Sequence, residues 1–203
     1  MLSVTLYLTN AHALSGHKEA ALRLLSSRRR AAAEAMNREG DCLLQCAAGL
    51  LLRCALGVED ESVFAIGEYG KPSLEGGPCF SLSYAGSYAA LAVADGTVGV
   101  DIEPLRLPDV LPRKVLTQEE TAWLSQHDTA DDFCLLWTRL ESALKAEGCG
   151  LALDKRDFSL LRDGDPWYWD SRLHEGHLVT CAAAEPLHVT VRELSAETLL
   201  RDQ

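Results

Sequence analysis

Residues 99–104 read Gly-Val-Asp-Ile-Glu-Pro, and the placement of every other element follows from what this short run is. As a strand it sends Asp101 and Glu103 to one face and Val100 and Ile102 to the other. Two carboxylates side by side repel unless a cation lies between them. An all-oxygen donor pair suits a hard cation such as Mg²⁺, which keeps several waters and also accepts phosphate oxygens. Asp-x-Glu is an abundant tripeptide, and on its own it reads as a charged strand end in water. Its meaning therefore depends on what surrounds it.

Toward the N-terminus, residues 80–83, 89–94 and 98–103 read as short strands, with Asp95-Gly96 as a hairpin turn between the last two. Leu2, Val4, Leu6 and Leu8 alternate like a first strand. Between them lies a helical stretch, 15–57, with breaks at 26–27 and 37–41. Its last helix, 41–56, is expected to start on an Asp41 cap and to stop at Gly57. That helix is apolar around most of its circumference and belongs in a core. Toward the C-terminus a proline-punctuated link, 104–112, precedes helices at 111–116, 117–126 and 129–147. Thr117 and Glu120 form a capping box, and Gly148 ends the third helix. Strands are expected at 158–161, 167–169, 178–183 and 189–194. The pattern is α+β, in two halves, 1–97 and 98–203.

Composition narrows the function. The chain has 203 residues, 47% apolar and 24% charged, enough to bury a core rather than remain disordered. With 30 acidic against 19 basic residues the formal charge is −11, which disfavours nucleic acid and anionic membrane surfaces. The most apolar run, 43–56, is interrupted by Gln45 and Arg53, so no membrane span is expected. The first residues lack the basic leader of a signal peptide. Seven cysteines without a Cys-x-x-Cys pair read as apolar fillers in a reducing cytoplasm. His174 and His177, without acidic or thiol partners at ligand spacing, read as exposed polar residues beside a turn.

A second segment, Trp137-Thr-Arg-Leu-Glu-Ser-Ala-Leu-Lys-Ala-Glu-Gly-Cys-Gly-Leu151, puts Glu141 and Lys145 four apart on one helix face, ordinarily a weak surface ion pair. In order with residues 99–104, however, it resembles the 4′-phosphopantetheinyl transferase superfamily. Gly70-Lys71-Pro72, Phe80-Ser-Leu-Ser83-Tyr84 and Leu116-Thr-Gln-Glu-Glu120 are similar to further family segments. The resemblance, to the long single-chain Sfp-type branch, implies two similar α/β halves, each a small antiparallel sheet packed on helices. The active site would lie between them.

That resemblance also implies a reaction. The family moves the 4′-phosphopantetheine arm of coenzyme A onto a serine of an acyl or peptidyl carrier protein and releases 3′,5′-ADP. Asp101, Glu103 and Glu141 match its metal-binding acids, for Mg²⁺. Lys145 matches its phosphate-contacting lysine, and Glu141, or a water on the metal, would take the serine proton. Lys71, Pro72, Ser83, Tyr84, Asp101 and Lys145 are the implied coenzyme contacts. Arg28-Arg29-Arg30 is the one tight basic cluster of the chain, and it reads equally as a solvated helix face or, through Arg29, as a contact with the nucleotide phosphates. The chain departs from the family pattern at Tyr84, where the family has histidine, at Leu140, where it has lysine, and near Leu44, where it has arginine. Each exchange removes a cation, and a charge-assisted hydrogen bond contributes roughly 1.5–3 kcal/mol. The alternative reading is a descendant that binds a nucleotide or a carrier protein without turnover. A cytoplasmic monomer is expected.

Overall fold

The computed structural model describes residues 1–107, 115–127, 129–149, 158–164 and 166–201. Strand β1 (Leu2–Asn10) leads through a 3₁₀ turn into helices α1 (Lys18–Arg23), α2 (Ser27–Glu34) and α3 (Glu39–Leu56). A two-stranded ribbon, β2 (Ala65–Ile66) and β3 (Pro72–Ser73), precedes β4 (Cys79–Ala85), β5 (Tyr88–Ala94) and β6 (Gly99–Pro104). Helices α4 (Gln118–Gln126) and α5 (Ala130–Glu147) follow. Strands β7 (Tyr168–His174), β8 (His177–Ala183) and β9 (Leu187–Glu193) and the short α6 (Ala196–Leu199) complete the described elements.

The two main sheets have the orders β4-β5-β1-β9 and β6-β8-β7. They lie face to face. Leu2, Val4, Leu6 and Leu8 of β1 and Ala90, Ala92 and Ala94 of β5 meet Val100, Ile102, Val179 and Cys181 in one buried layer. Helix α3 covers the outer face of the first sheet with Leu43, Leu50 and Leu51. Helix α5 covers the second with Leu136, Leu140 and Leu144. Val100 and Ile102 are committed to the layer between the sheets, so Asp101 must point the other way, toward α5.

Local signals explain the helix ends. Gly57 and Gly148 both adopt left-handed φ, +66° and +74°, and close α3 and α5. Thr117 and Glu120 make the expected capping box. Ser26 caps α2 through its hydroxyl. Helix α3 begins earlier than expected, at Glu39. Asp41 lies inside the first turn, where its charge meets the helix dipole instead of capping the end.

Other expectations are corrected. Asp95-Gly96 does not turn a hairpin, because β5 and β6 enter different sheets. In the two main sheets the hairpins are β4–β5, and β7–β8 with Glu175 and Gly176 both at positive φ, the conformation a two-residue primed turn requires. Residues 158–161 form a turn, not a strand. The Leu160 N–H that would have joined a ladder donates instead to Glu120 Oε1 at 2.8 Å. His177 is buried, not exposed. Its Nε2 accepts the Ser87 N–H at 3.3 Å and its Nδ1 meets the Glu175 carbonyl at 2.9 Å. The first sheet is mixed, since β9 returns across the 97/98 boundary and pairs with β1 in parallel. The helix expected at 111–116 lies outside the described residues for 111–114, as do Gly150 and Leu151.

Candidate active site

The site forms where the edge strands of the two sheets touch. Ser81 and Ser83 share one face of β4 and both reach β6. The Val100 N–H donates to Ser81 Oγ at 3.0 Å, and Ser83 Oγ donates to Asp101 Oδ1 at 2.8 Å. From the helix side, Lys145 Nζ donates to the same Oδ1 at 2.6 Å and to Ser83 Oγ at 2.9 Å. Gly99 makes this approach possible. A Cβ there would lie 1.8 Å from the Ser142 carbonyl oxygen of α5, so only glycine lets the strand come close enough for Asp101 to meet Lys145.

Asp101 is 3% exposed, and its Oδ2 is buried with no hydrogen-bond partner. Burial raises its pKa despite the pull of Lys145 and Ser83. Glu103 and Glu141 are also raised, by burial first and then by the Asp101 charge, with a hydrogen bond involving Trp137 acting in the opposite sense on Glu103. The three acids therefore feel one another electrostatically. Among the described residues no three Asp, Glu, His or Cys side chains stand together as a ready-made cage. A buried, unpartnered carboxylate oxygen flanked by two further acids is nevertheless a donor set that fits a hard divalent cation.

Glu141 and Lys145 open onto a cleft of about 380 Å³ lined also by Arg29, Tyr69, Lys71, Pro72 and Tyr84. A second chamber of about 370 Å³ continues past Arg29 and Tyr84 to Arg28, Gln45, Glu61 and Ile66. Of the residues expected to contact the coenzyme, Arg29, Lys71, Pro72, Tyr84 and Lys145 line this cleft, while Ser83 and Asp101 are buried behind Lys145, and several are already engaged. Lys71 Nζ donates to the Ala146 carbonyl at 2.7 Å, satisfying a free C=O in the last turn of α5, and burial lowers its pKa. Ser83 is held by Asp101 and Lys145. Lys145 itself turns to Asp101 rather than to Glu141. Leu140 points into the core beneath α5, and Leu44 into the core beneath α3.

Two participants escape a reading of the sequence. Glu61 takes Arg29 in a bidentate pair, Nε and Nη2 each at 2.7 Å from its two oxygens. Gln45 accepts from Arg29 Nη1 at 3.2 Å and donates to Tyr84 Oη at 3.1 Å. Gly49 lets α2 and α3 close so that Arg29 lies across them, since a Cβ there would meet Arg29 Cγ at 2.9 Å. No local spacing links residues 29, 45, 61 and 84, so only the fold brings them together.

The sequence model of the 4′-phosphopantetheinyl transferase superfamily matches residues 97–192, the span that carries Asp101, Glu103, Glu141 and Lys145. Across that span the chain carries the superfamily's sequence pattern. It is 31% identical over 145 residues to a 4′-phosphopantetheinyl transferase of Bacillus subtilis, covering 68% of this chain and 62% of that protein. It is 30% identical over 108 residues to the 4′-phosphopantetheinyl transferase gsp of Aneurinibacillus migulanus, covering 51% and 46%. The 4′-phosphopantetheinyl transferase ffp of Bacillus subtilis is 33% identical over 129 residues, covering 60% and 52%. The chain thus spans about half to three fifths of the length of these curated relatives. Among the described residues no helix is long and apolar enough to cross a membrane.

Proposed function

We propose that the chain transfers the 4′-phosphopantetheine arm of coenzyme A to a serine of an acyl or peptidyl carrier protein, acting as a monomer and releasing 3′,5′-ADP. The supporting observation is the buried Asp101 carboxylate, its Oδ2 unpartnered and its Oδ1 held by Lys145, which itself lines a cleft large enough for part of a nucleotide. The resemblance to the superfamily supplies the reaction class.

In this reading Asp101, Glu103 and Glu141 would hold Mg²⁺, which supplies positive charge to a diphosphate as its P–O bond breaks. Lys145, fixed by Asp101 and Ser83, offers its remaining N–H to a phosphate oxygen and stabilises the charge that grows on the leaving nucleotide. Glu141 accepts the serine proton as the serine oxygen bonds to phosphorus and the diphosphate oxygen departs. The aliphatic and aromatic walls, Pro72, Leu82 and Tyr69, exclude water from the nucleotide.

The test is the intact mass of an apo carrier protein incubated with the full chain, CoA and Mg²⁺. A gain of one phosphopantetheine arm is expected, with none for Asp101→Ala or Glu141→Ala. No gain across several carriers, with CoA still bound, would identify a binding descendant and refute the proposal.

A further inference from the structure

The cleft is lined by cations, yet its central guanidinium is already neutralised. Arg29 and Glu61 are both about 15% exposed, and their paired contacts at 2.7 Å have the fork geometry that a guanidinium also uses to bind phosphate. The next polar groups along the wall, the Gln45 amide and the Tyr84 hydroxyl, are neutral. Gln45 is used on both sides, accepting from Arg29 and donating to Tyr84. Because Tyr84 Oη accepts from Gln45, its own proton is free to point into the cleft as an uncharged donor. Lys71 is turned to the end of α5, and Arg28 is exposed to solvent at the mouth of the second chamber.

We infer that Glu61 is a resident anion that occupies Arg29 in place of a ligand phosphate, so that the cleft gains little from a terminal phosphomonoester on the nucleotide and accepts donors that lack it. The inference rests on the proposed transferase reading and names its donor class: coenzyme A and 3′-dephospho-coenzyme A are both bound, with weak discrimination. A phosphate approaching Arg29 must displace the Glu61 carboxylate or share the guanidinium with it. Like charges in a half-buried space oppose that sharing. The diphosphate common to both donors lies at the Lys145 end and is unaffected.

Isothermal titration of the full chain with CoA and with dephospho-CoA, at one fixed ionic strength, tests it. The wild-type affinities are expected to differ by less than about tenfold, the factor that corresponds to about 1.4 kcal/mol. Glu61→Gln frees Arg29 and should raise the CoA to dephospho-CoA preference at least about fivefold. Adding Arg29→Gln to that variant should abolish the gain. A wild-type preference for CoA above tenfold, or an unchanged or reduced preference in Glu61→Gln, overturns the inference. The wild-type ratio decides even if the variant folds poorly. Transfer from CoA with a large CoA preference would refute this inference and leave the transferase reading standing. Failure to bind either donor would refute both.

Discussion

Replacing Gly99 with alanine should damage fold and chemistry together. Alanine in place of a strand glycine ordinarily stabilises by about 0.5–1 kcal/mol, because glycine loses more freedom on folding. Here the added carbon would lie 1.8 Å from the Ser142 carbonyl oxygen and 2.6 Å from the Ala146 nitrogen. Carbon and carbonyl oxygen rarely approach closer than about 3.3 Å, so β6 and α5 must separate by roughly 1.5 Å. Both obstructing atoms are backbone and cannot swing aside. Overpacking of this kind costs about 1–3 kcal/mol. The same displacement would stretch the Lys145–Asp101 contact from 2.6 Å beyond hydrogen-bonding distance. A misplacement of about 1 Å lowers catalysis by roughly 10²-fold. Urea denaturation followed by the carrier-mass assay reads both effects. A wild-type urea midpoint would refute the close approach of β6 to α5. A lowered midpoint with full transfer would refute the coupling between that approach and the Asp101–Lys145 contact.

Further outcomes concern the buried charges and thiols. Lys145→Met leaves the Asp101 carboxylate buried with Ser83 as its remaining side-chain donor, and should cost about 3 kcal/mol in chemical denaturation. Asp101→Asn should cost less, because the ammonium left behind is partly solvated. Asp101 has a raised pKa in the fold, so the native state holds its proton longer than the unfolded chain. Its stabilising contribution is full below the ordinary aspartate range and is lost as pH rises through the folded value. Asp101→Asn should therefore gain stability relative to wild type as pH rises above the ordinary aspartate range, and a constant difference would contradict that sign. Cys46 and Cys181 are pushed up to about 12 by burial. They should resist a thiol reagent at neutral pH while exposed Cys79 reacts at once. Their contribution to stability should fade above about pH 9, as pH climbs from the unfolded toward the folded value. Rapid labelling of Cys181 in the native protein would refute its burial.

Much of this was legible in the chain because it is local. Gly57, Gly148 and the Thr117–Glu120 box each encode a helix end within four residues. The alternation in 99–104 correctly assigns Val100 and Ile102 to one face and Asp101 to the other. What alternation cannot state is a strand's partner, so nothing in 187–193 announces that β9 would lie parallel to β1. Asp95-Gly96 carries good turn chemistry, yet the two strands it joins diverge because each finds a better apolar face in a different sheet. The Arg29–Glu61 and Gln45–Tyr84 contacts depend on how α2 crosses α3, and that crossing is set by the missing side chain at Gly49. The sequence singled out Lys71, which reaches the cleft, and Ser83, which is buried beside it, but not that the helix end and Asp101 already hold them.

The most direct measurement is the binding of Mn²⁺, a spectroscopically visible substitute for Mg²⁺, followed by electron paramagnetic resonance with CoA present. One strong site is expected in the wild-type chain, lost or greatly weakened in Asp101→Ala and Glu141→Ala. The absence of such a site, or its persistence in both variants, would contradict the assignment of the three carboxylates.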